Sequence, residues 1–310
     1  MSGLEFIYQD YSISDNRRES EFHYTVVTDE DAFNLVERIK WPQPLRESTA
    51  IESLHKTLHI ALGISYYKTF IPPKISHPYR MSNEESDFWN EVFLNGLGEF
   101  LYVNNIEPSK IAKFSGQDGD HILLDTESQL NQSALLGIGG GKDSIVAGEL
   151  LKELDIDTTG FVLATGANVG ITDEVSEIMD IDLRKIERTI DPFIIELNSY
   201  IGAYNGHVPI SMIFALTGAV LAVNEGSRYI VVANESGASL PQAKHHDRNV
   251  NHQWSKSMEF EQLMQDYLKT VIHPELHYFS AIRPLSSVAV AKIFAHYPQY
   301  FTHFSSDNGL

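Results

Sequence analysis

Residues 139–144 read Gly-Gly-Gly-Lys-Asp-Ser, three glycines followed by a cation, a carboxylate and a hydroxyl. Glycine carries no Cβ, so the backbone of such a run can approach a ligand closely. The apolar run before it, Ala134 to Ile138, is too short for a helix and reads as a buried strand. Beyond it Ala147, Leu150, Leu151 and Leu154 fall at helical spacing, which predicts a helix with one buried face. A strand, a glycine turn and a helix N-terminus make an anion site, because free N–H groups and the helix dipole favour negative charge. The implied ligand is phosphate.

A second polar stretch holds Asn251, His252, Gln253, Ser255 and Lys256. Amides, an imidazole and an ammonium in one segment suit a polar, multiply charged substrate. His252 is the candidate general base, since imidazole ordinarily titrates near neutrality. Asn234 and Glu235 directly follow the apolar run Tyr229 to Ala233, which places Glu235 to hold Mg2+ or a ligand amine, or to cap a turn. His207 lies in the turn Asn205 to Pro209 and can face the same cleft. Tyr66 and Lys68 are ligand types for a carboxylate or phosphate, and equally core residues. His55 and His59 have the i, i+4 spacing of a zinc pair, but Lys56 stands where the required Glu would be. They read as a solvated or hydrogen-bonded pair.

The phosphate pattern is not a Walker loop, because that register puts Leu136 at the first Gly and Asp143 at the Ser/Thr. A dinucleotide Gly-x-Gly-x-x-Gly fails too, reaching Lys142 or Ser144 instead of its last Gly, and no acid follows the next strand. Gly139–Ser144 resembles the Ser-Gly-Gly-x-Asp-Ser loop of the ATP pyrophosphatases, with Gly139 where that family usually has Ser. The resemblance implies that ATP is split into AMP and pyrophosphate, with the loop on the pyrophosphate end.

Composition narrows the partners. The 42 acidic against 23 basic residues give a formal charge of -19, which argues against a nucleic-acid surface or an anionic membrane. With no cysteine, disulfides, thiolate nucleophiles and cysteine zinc sites are excluded within these residues. The first residues lack a signal pattern, and Ile210 to Val223 is too short to span a bilayer, so a soluble cytoplasmic protein is expected.

The elements that must position these residues follow from periodicity. Phe6, Tyr8 and Tyr11, then Phe22, Tyr24 and Val26, alternate with polar residues and predict two strands. Asp29-Glu30-Asp31 reads as the start of a short helix ending before Trp41-Pro42. Ala50 to Leu62 is a helix stopped by Gly63, and Asn83 to Val103 a second. An extended link, His121 to Gln132, leads to a domain boundary near Asn131. Residues 1–131 form a smaller α+β domain and 132–310 a nucleotide-binding domain. In the latter, strands at 134–138, 161–164, 181–188, 229–233 and 277–282 alternate with helices, giving an α/β fold with an open parallel sheet and helices on both faces. Residues 235–255 show no periodicity and read as a functional loop. Ligands bind beyond the carboxyl ends of such strands, which adds Thr165, Gly166 and Arg188 to the candidates.

Further runs extend the likeness: Gly-Ile-Ser-Tyr-Tyr-Lys (63–68), Gly-His-Val-Pro (206–209), Ala-Asn-Glu-Ser (233–236) and Val-Asn-His-Gln-Trp-Ser-Lys-Ser (250–257), with Glu259-Phe260-Glu261. Together with the glycine loop they resemble the bacterial UDP-N-acetylmuramoyl-L-alanyl-L-glutamate epimerase family, over most of the chain from about residue 50 onward. The resemblance implies an ATP- and Mg2+-dependent enzyme that inverts the terminal glutamate of a peptidoglycan precursor through an acyl-adenylate, releasing AMP and pyrophosphate. It implies that Gly139, Gly140, Gly141, Lys142, Asp143 and Ser144, with Thr165, Gly166 and Arg188, hold the nucleotide, and that Lys142 offsets charge on pyrophosphate. Asp143 and Glu235 become the metal carboxylates, and His252, Lys142 and Asp143 the catalytic set. Tyr66, Lys68, His207, Asn234, Glu235, Asn251, Gln253, Ser255 and Lys256 fall to the substrate. The family also implies a longer chain with a cysteine-bearing C-terminal segment. Two other readings stay open: an ATP-dependent ligase or amidase of another carboxylate, and a nucleotide-binding module without turnover.

Overall fold

The computed structural model describes residues 3–117, 124–126, 128–166 and 170–305. The chain opens with an antiparallel meander, β1 (Glu5–Ile13), β2 (Glu19–Val27) and β3 (Ala32–Lys40). Its alternating side chains put Phe6, Tyr8, Phe22, Tyr24, Leu35 and Ile39 inside. Helix α1 (Thr49–Tyr67) follows, then the short β4 (Lys74–Ser76), which pairs parallel to β1. Helices α2 (Asn83–Gly96) and α3 (Gly98–Val103) complete this part.

From β5 (Asn131–Gly137) onward strands and helices alternate. They are α4 (Lys142–Glu153), β6 (Thr158–Ala164), α5 (Gly170–Met179), β7 (Leu183–Thr189), α6 (Phe193–Leu197), α7 (Ile210–Glu225) and β8 (Ser227–Val232). A small hairpin, β9 (Ala243–His245) with β10 (Arg248–Val250), precedes α8 (Met258–Tyr267), β11 (His277–Ser280) and α9 (Ser287–Phe294). The parallel strands lie in the order β11-β8-β5-β6-β7, and β3 joins β7 antiparallel, so one nine-stranded sheet runs from β11 to β4. The expected boundary near Asn131 therefore falls between segments that share a sheet. Part of the expected link from His121 to Gln132 lies outside the described residues.

Two cores cover the two faces of the parallel sheet. Ala134, Leu136, Ile138 and Val231 pack with residues of α4, α5 and α9 on one face. Leu135, Ile230 and Val232 pack with α1, α7 and α8 on the other. Helix α7 is apolar on nearly every side because it is buried between α1 and the sheet, and each large aliphatic side chain so buried contributes about 1.5–3 kcal/mol. It ends at Gly226, whose φ of 78° is the left-handed turn that glycine allows. No helix among the described residues is long and apolar enough to cross a membrane.

Four expectations change. Residues 32–40 form a strand, not a helix, because Leu35, Glu37 and Ile39 alternate inward and Glu37 meets Arg188 of β7 there. Gly63 does not stop α1, since it is a packing glycine whose Cβ would overlap the Tyr8 ring. The helix expected over 83–103 breaks at Leu97 into two. The segment 235–255 carries a 3-10 turn at Ser236–Ser239 and the β9–β10 hairpin instead of an unstructured loop.

Candidate nucleotide and substrate site

Strand order reverses between β5 and β8. The connection from β5 crosses by α4 to β6, while β8 lies on the other side and is reached through α7. Loops leaving neighbouring strands in opposite directions open a crevice at that point. Here it is a cavity of about 240 Å³, lined by Gly139, Gly141, Asp143 and Ser144 after β5, and by Ala233 and Asn234 after β8. Ser211 and Phe214 of α7, together with Lys256, Tyr278 and Ser305, close its sides.

The glycine loop is built for close approach. A Cβ at Gly139 would meet nothing within 4 Å, so packing gives no reason for glycine at this cavity-lining position. Gly140 has φ 78° and its missing Cβ leaves room for Ile171. Helix α4 starts at Lys142 with no side-chain cap on its first turn, so its N–H groups and dipole face the cavity side. The Ser144 hydroxyl donates to the Gly141 carbonyl at 2.9 Å and fixes the turn. Lys142 Nζ donates to Asp143 Oδ1 at 2.5 Å. The two form a half-exposed pair that an incoming anion or cation can divide.

From the 250–257 segment, Lys256 lines the cavity. Asn251 Nδ2 donates to the Ala238 carbonyl at 2.8 Å and its Oδ1 accepts the Gln253 N–H at 2.8 Å, so this amide shapes the turn. His252 is exposed, with Gln253 Nε2 3.1 Å from its Nε2. Ser255 is buried, and Lys256 reaches the cavity. His207, half-buried ahead of α7, has Nδ1 3.9 Å from Glu99 Oε2. Burial pushes its pKa down, the Glu99 carboxylate opposes that, and His252 and Lys256 lower it further by charge repulsion. Lys256 lines the cavity, whereas His207 and His252 are not among its lining residues.

Other candidates are engaged elsewhere. Arg188 is buried and donates from Nε to Glu37 Oε1 at 2.5 Å and from Nη2 to Ser65 Oγ at 3.3 Å, joining β7 to β3 and α1 rather than facing the cavity. Desolvation raises the Glu37 pKa against the pull of Arg188. Tyr66 is fully buried and accepts the Asp191 N–H at 3.0 Å. Lys68 is buried, with its pKa lowered by desolvation, and Nζ donates to Asn205 Oδ1 at 3.1 Å. Thr165 and Gly166 are exposed at the end of β6. Glu235 caps its turn by accepting the Gly237 N–H at 2.7 Å. His55 and His59 are buried and hydrogen-bonded inside the meander–α1 core.

Sequence reasoning missed Ser211, Phe214, Tyr278 and Ser305, which reach the cavity from distant segments. It also missed Arg283, which donates to the carbonyls of Glu235 at 3.2 Å and Lys256 at 2.9 Å while paired with Glu261 at 2.5 Å. One guanidinium thereby ties together the two loops that face each other. The Glu261 in the 259–261 run was the available signal.

Asp143 fits magnesium in one mode only. Among the described residues no group of three or more His, Asp or Glu is placed to hold a metal. One carboxylate beside a phosphate loop instead suits Mg2+ bridged by substrate phosphates. Glu235, spent on its cap, does not complete such a set as it stands.

A family described as the MurL N-terminal domain matches residues 2–281. The chain belongs to that family. It is 35% identical over 262 residues to a UDP-N-acetyl-alpha-D-muramoyl-L-alanyl-L-glutamate epimerase of Xanthomonas oryzae pv. oryzae, covering 84% of this chain and 57% of that protein. Proteins of the same name from Micromonospora sp. and Salinispora tropica are each 29% identical, over 95% and 94% of this chain and 66% and 64% of theirs. The chain thus spans between 57% and 66% of the length of these relatives. Among solved structures, a predicted tRNA methyltransferase subunit from Methanocaldococcus jannaschii shares 14% identity with a TM-score of 0.31, over 53% of this chain and 75% of that one. Likeness at that level says nothing of function.

Proposed function

We propose that this chain forms the ATP-binding and glutamate-activating part of an epimerase. Its reaction inverts the terminal L-glutamate of UDP-N-acetylmuramoyl-L-alanyl-L-glutamate during peptidoglycan precursor synthesis. One observation carries the reading: the glycine loop and Lys256 share a single cavity at the switch point, with His252 four residues before Lys256. Family membership and the names of the three relatives agree with it.

The chemistry follows from the carboxylate. A free carboxylate makes its neighbouring C–H very weakly acidic, because abstraction would place a second negative charge beside the first. Attack of that carboxylate on the α-phosphorus of ATP breaks the bond to the bridging oxygen, and pyrophosphate leaves with the electron pair. The N–H groups of 139–144 and the Lys142 ammonium hold the phosphates and offset the charge on the leaving group. Magnesium, held by Asp143 and phosphate oxygens, would neutralise further phosphate charge. The acyl group of the adenylate is uncharged at carbon, so His252 can take the α-proton. A proton returned on the other face and cleavage of the adenylate by water give the dipeptide with a D-glutamyl terminus and AMP. Lys256, which lines the cavity, would offset the developing negative charge.

Pyrophosphate release from ATP and Mg2+, with the UDP-muramoyl dipeptide supplied or withheld, tests this directly. Release that depends on the dipeptide, followed by D-glutamate on chiral analysis, is the expected result. ATP binding without dipeptide-dependent release would overturn it.

A further inference from the structure

Seven tyrosines are buried among the described residues. Six of them spend their hydroxyls inside the protein: Tyr8 on the Ile60 carbonyl, Tyr24 on the His59 carbonyl, Tyr66 and Tyr67 on the N–H groups of Asp191 and Ala112, Tyr267 on Thr57 and Tyr300 on Glu149. The seventh, Tyr278, hydrogen-bonds through its hydroxyl to no described residue, yet only 1% of it is exposed. A buried hydroxyl without a partner costs stability, and such groups are rare in folded proteins. The partnerless Trp254 Nε1 is sealed in protein; the Tyr278 oxygen is not, so the exposure that remains includes the hydroxyl. The open space beside Tyr278 is the cavity it lines.

Strand register places this residue at one end of the site. Tyr278 of β11 pairs with Ile230 of β8, which pairs with Leu135 of β5, and all three belong to the core on the α7–α8 face. Neighbouring strands lie about 4.7–4.9 Å apart, so β11 stands about 9–10 Å from the strand that carries the glycine loop. Two more lining residues are anchored to the exit of β11. The Asn234 N–H and carbonyl meet Ser280 Oγ at 2.9 and 2.8 Å, and the Lys256 carbonyl accepts from Arg283 at 2.9 Å. The Asn234 side-chain amide and the Lys256 ammonium hydrogen-bond to no described residue. Among the described lining residues the one carboxylate, Asp143, is on the glycine loop and paired with Lys142. Burial, then the Glu261 carboxylate, push the Tyr278 pKa up against the pull of Arg283, so the phenol remains a neutral donor. The β11 end thus offers a phenol, an amide and an ammonium with no acid among them.

We infer that Tyr278 is a specificity residue for the glutamyl side chain of the substrate, donating its hydroxyl hydrogen to that side chain's carboxylate beside Asn234 and Lys256. This rests on the epimerase reading above. A terminal glutamate carries two carboxylates. The one that attacks ATP must reach the phosphates at the end of β5, which leaves the other for donors two strands away. A glutamine there would lack the charge that the ammonium attracts and would turn an NH2 where an acceptor belongs.

The test is Tyr278→Phe in the full chain, which removes one oxygen and keeps the ring. In dipeptide-dependent pyrophosphate release, the KM for the UDP-muramoyl dipeptide is expected to rise about 10–100-fold, with the KM for ATP unchanged. Preference for the L-glutamyl dipeptide over one ending in L-glutamine falls by a similar factor. Without ligands the variant melts no lower than the parent, since its hydroxyl had no protein partner to lose. Tyr267→Phe, which gives up the contact with Thr57, is the opposite case, melting lower with both KM values unchanged. A dipeptide KM for Tyr278→Phe within about twofold of the parent, an equal rise in the KM for ATP, an unchanged preference over glutamine or a lower melting temperature would each overturn the assignment. If the unsubstituted protein released no pyrophosphate in response to the dipeptide, the epimerase reading would fall, and this assignment with it.

Discussion

Helix α1 and the region of the cleft both carry histidines and glycine, and use them in opposite ways. On α1 both nitrogens of His55 are spent, on the Ile51 carbonyl at 2.7 Å and Ser20 Oγ at 2.9 Å. His59 is likewise held by the His23 carbonyl at 3.0 Å and the Tyr79 hydroxyl. Gly63 is small because Tyr8 fills the space its side chain would take. Outside that core His252 is exposed and His207 half-buried, and Gly139 lines the cavity with open space where a Cβ would be. Saturated partners make a histidine architecture; a ring that keeps solvent access is a candidate for chemistry.

The largest expected effect that tests the contrast is on stability against pH. Burial pushes both His55 and His59 down to about 4. Between the ordinary histidine pKa near 6.5 and pH 4 the unfolded chain binds protons that the folded rings refuse. Their stabilisation is therefore full above about pH 6.5 and is lost as pH falls toward 4, by about 1.4 kcal/mol per unit for each ring. Denaturant melts at pH 7, 6 and 5 measure the slope, and a His55→Gln, His59→Gln protein should lose most of this component. An unchanged slope would put these rings with the solvated ones.

His252→Ala comes next, with inversion slowed about 10²–10⁴-fold and the melting temperature unmoved. Full epimerisation with adenylation intact would remove His252 from its role. Gly63→Ala is expected to cost about 1–3 kcal/mol by overpacking against Tyr8, read in a denaturant melt, with ATP affinity unchanged. Gly139→Ala reverses that pattern, shifting stability by less than about 0.5 kcal/mol while weakening ATP binding in a calorimetric titration. Normal ATP affinity there would move the phosphate site elsewhere.

How much of this was legible in the sequence depends on how local each cause is. The strand–glycine–helix unit around 139–144 and the alternation of strands and helices after it announce themselves within about 20 residues, by a change of hydrophobic period. Strand β3 did not, because Asp29-Glu30-Asp31 imitates a helix start and the inward Glu37 looks like a surface residue until Arg188 arrives to pair with it. Arg188 itself sits where a strand-end ligand would, and only the meander's position on the same sheet shows why it is buried. Gly63 read as a stop for the same reason: Tyr8 lies on a distant strand. At the site, the cavity residues on consecutive turns were found, whereas Ser211, Tyr278, Ser305 and the tie from Arg283 required tertiary structure.

The rungs between β3 and β7 are few, Arg38 with Thr189, Ile39 with Arg188 and Lys40 with Glu187. They nevertheless shield an edge of the parallel sheet. A proteolytic nick between residues 41 and 48 that released the meander would bare the N–H and C=O groups of β7 along that side. Such an edge is a template for other chains. The nicked protein would then self-associate under conditions where the intact chain stays dispersed, so light scattering after limited digestion would report how firmly this short seam is closed.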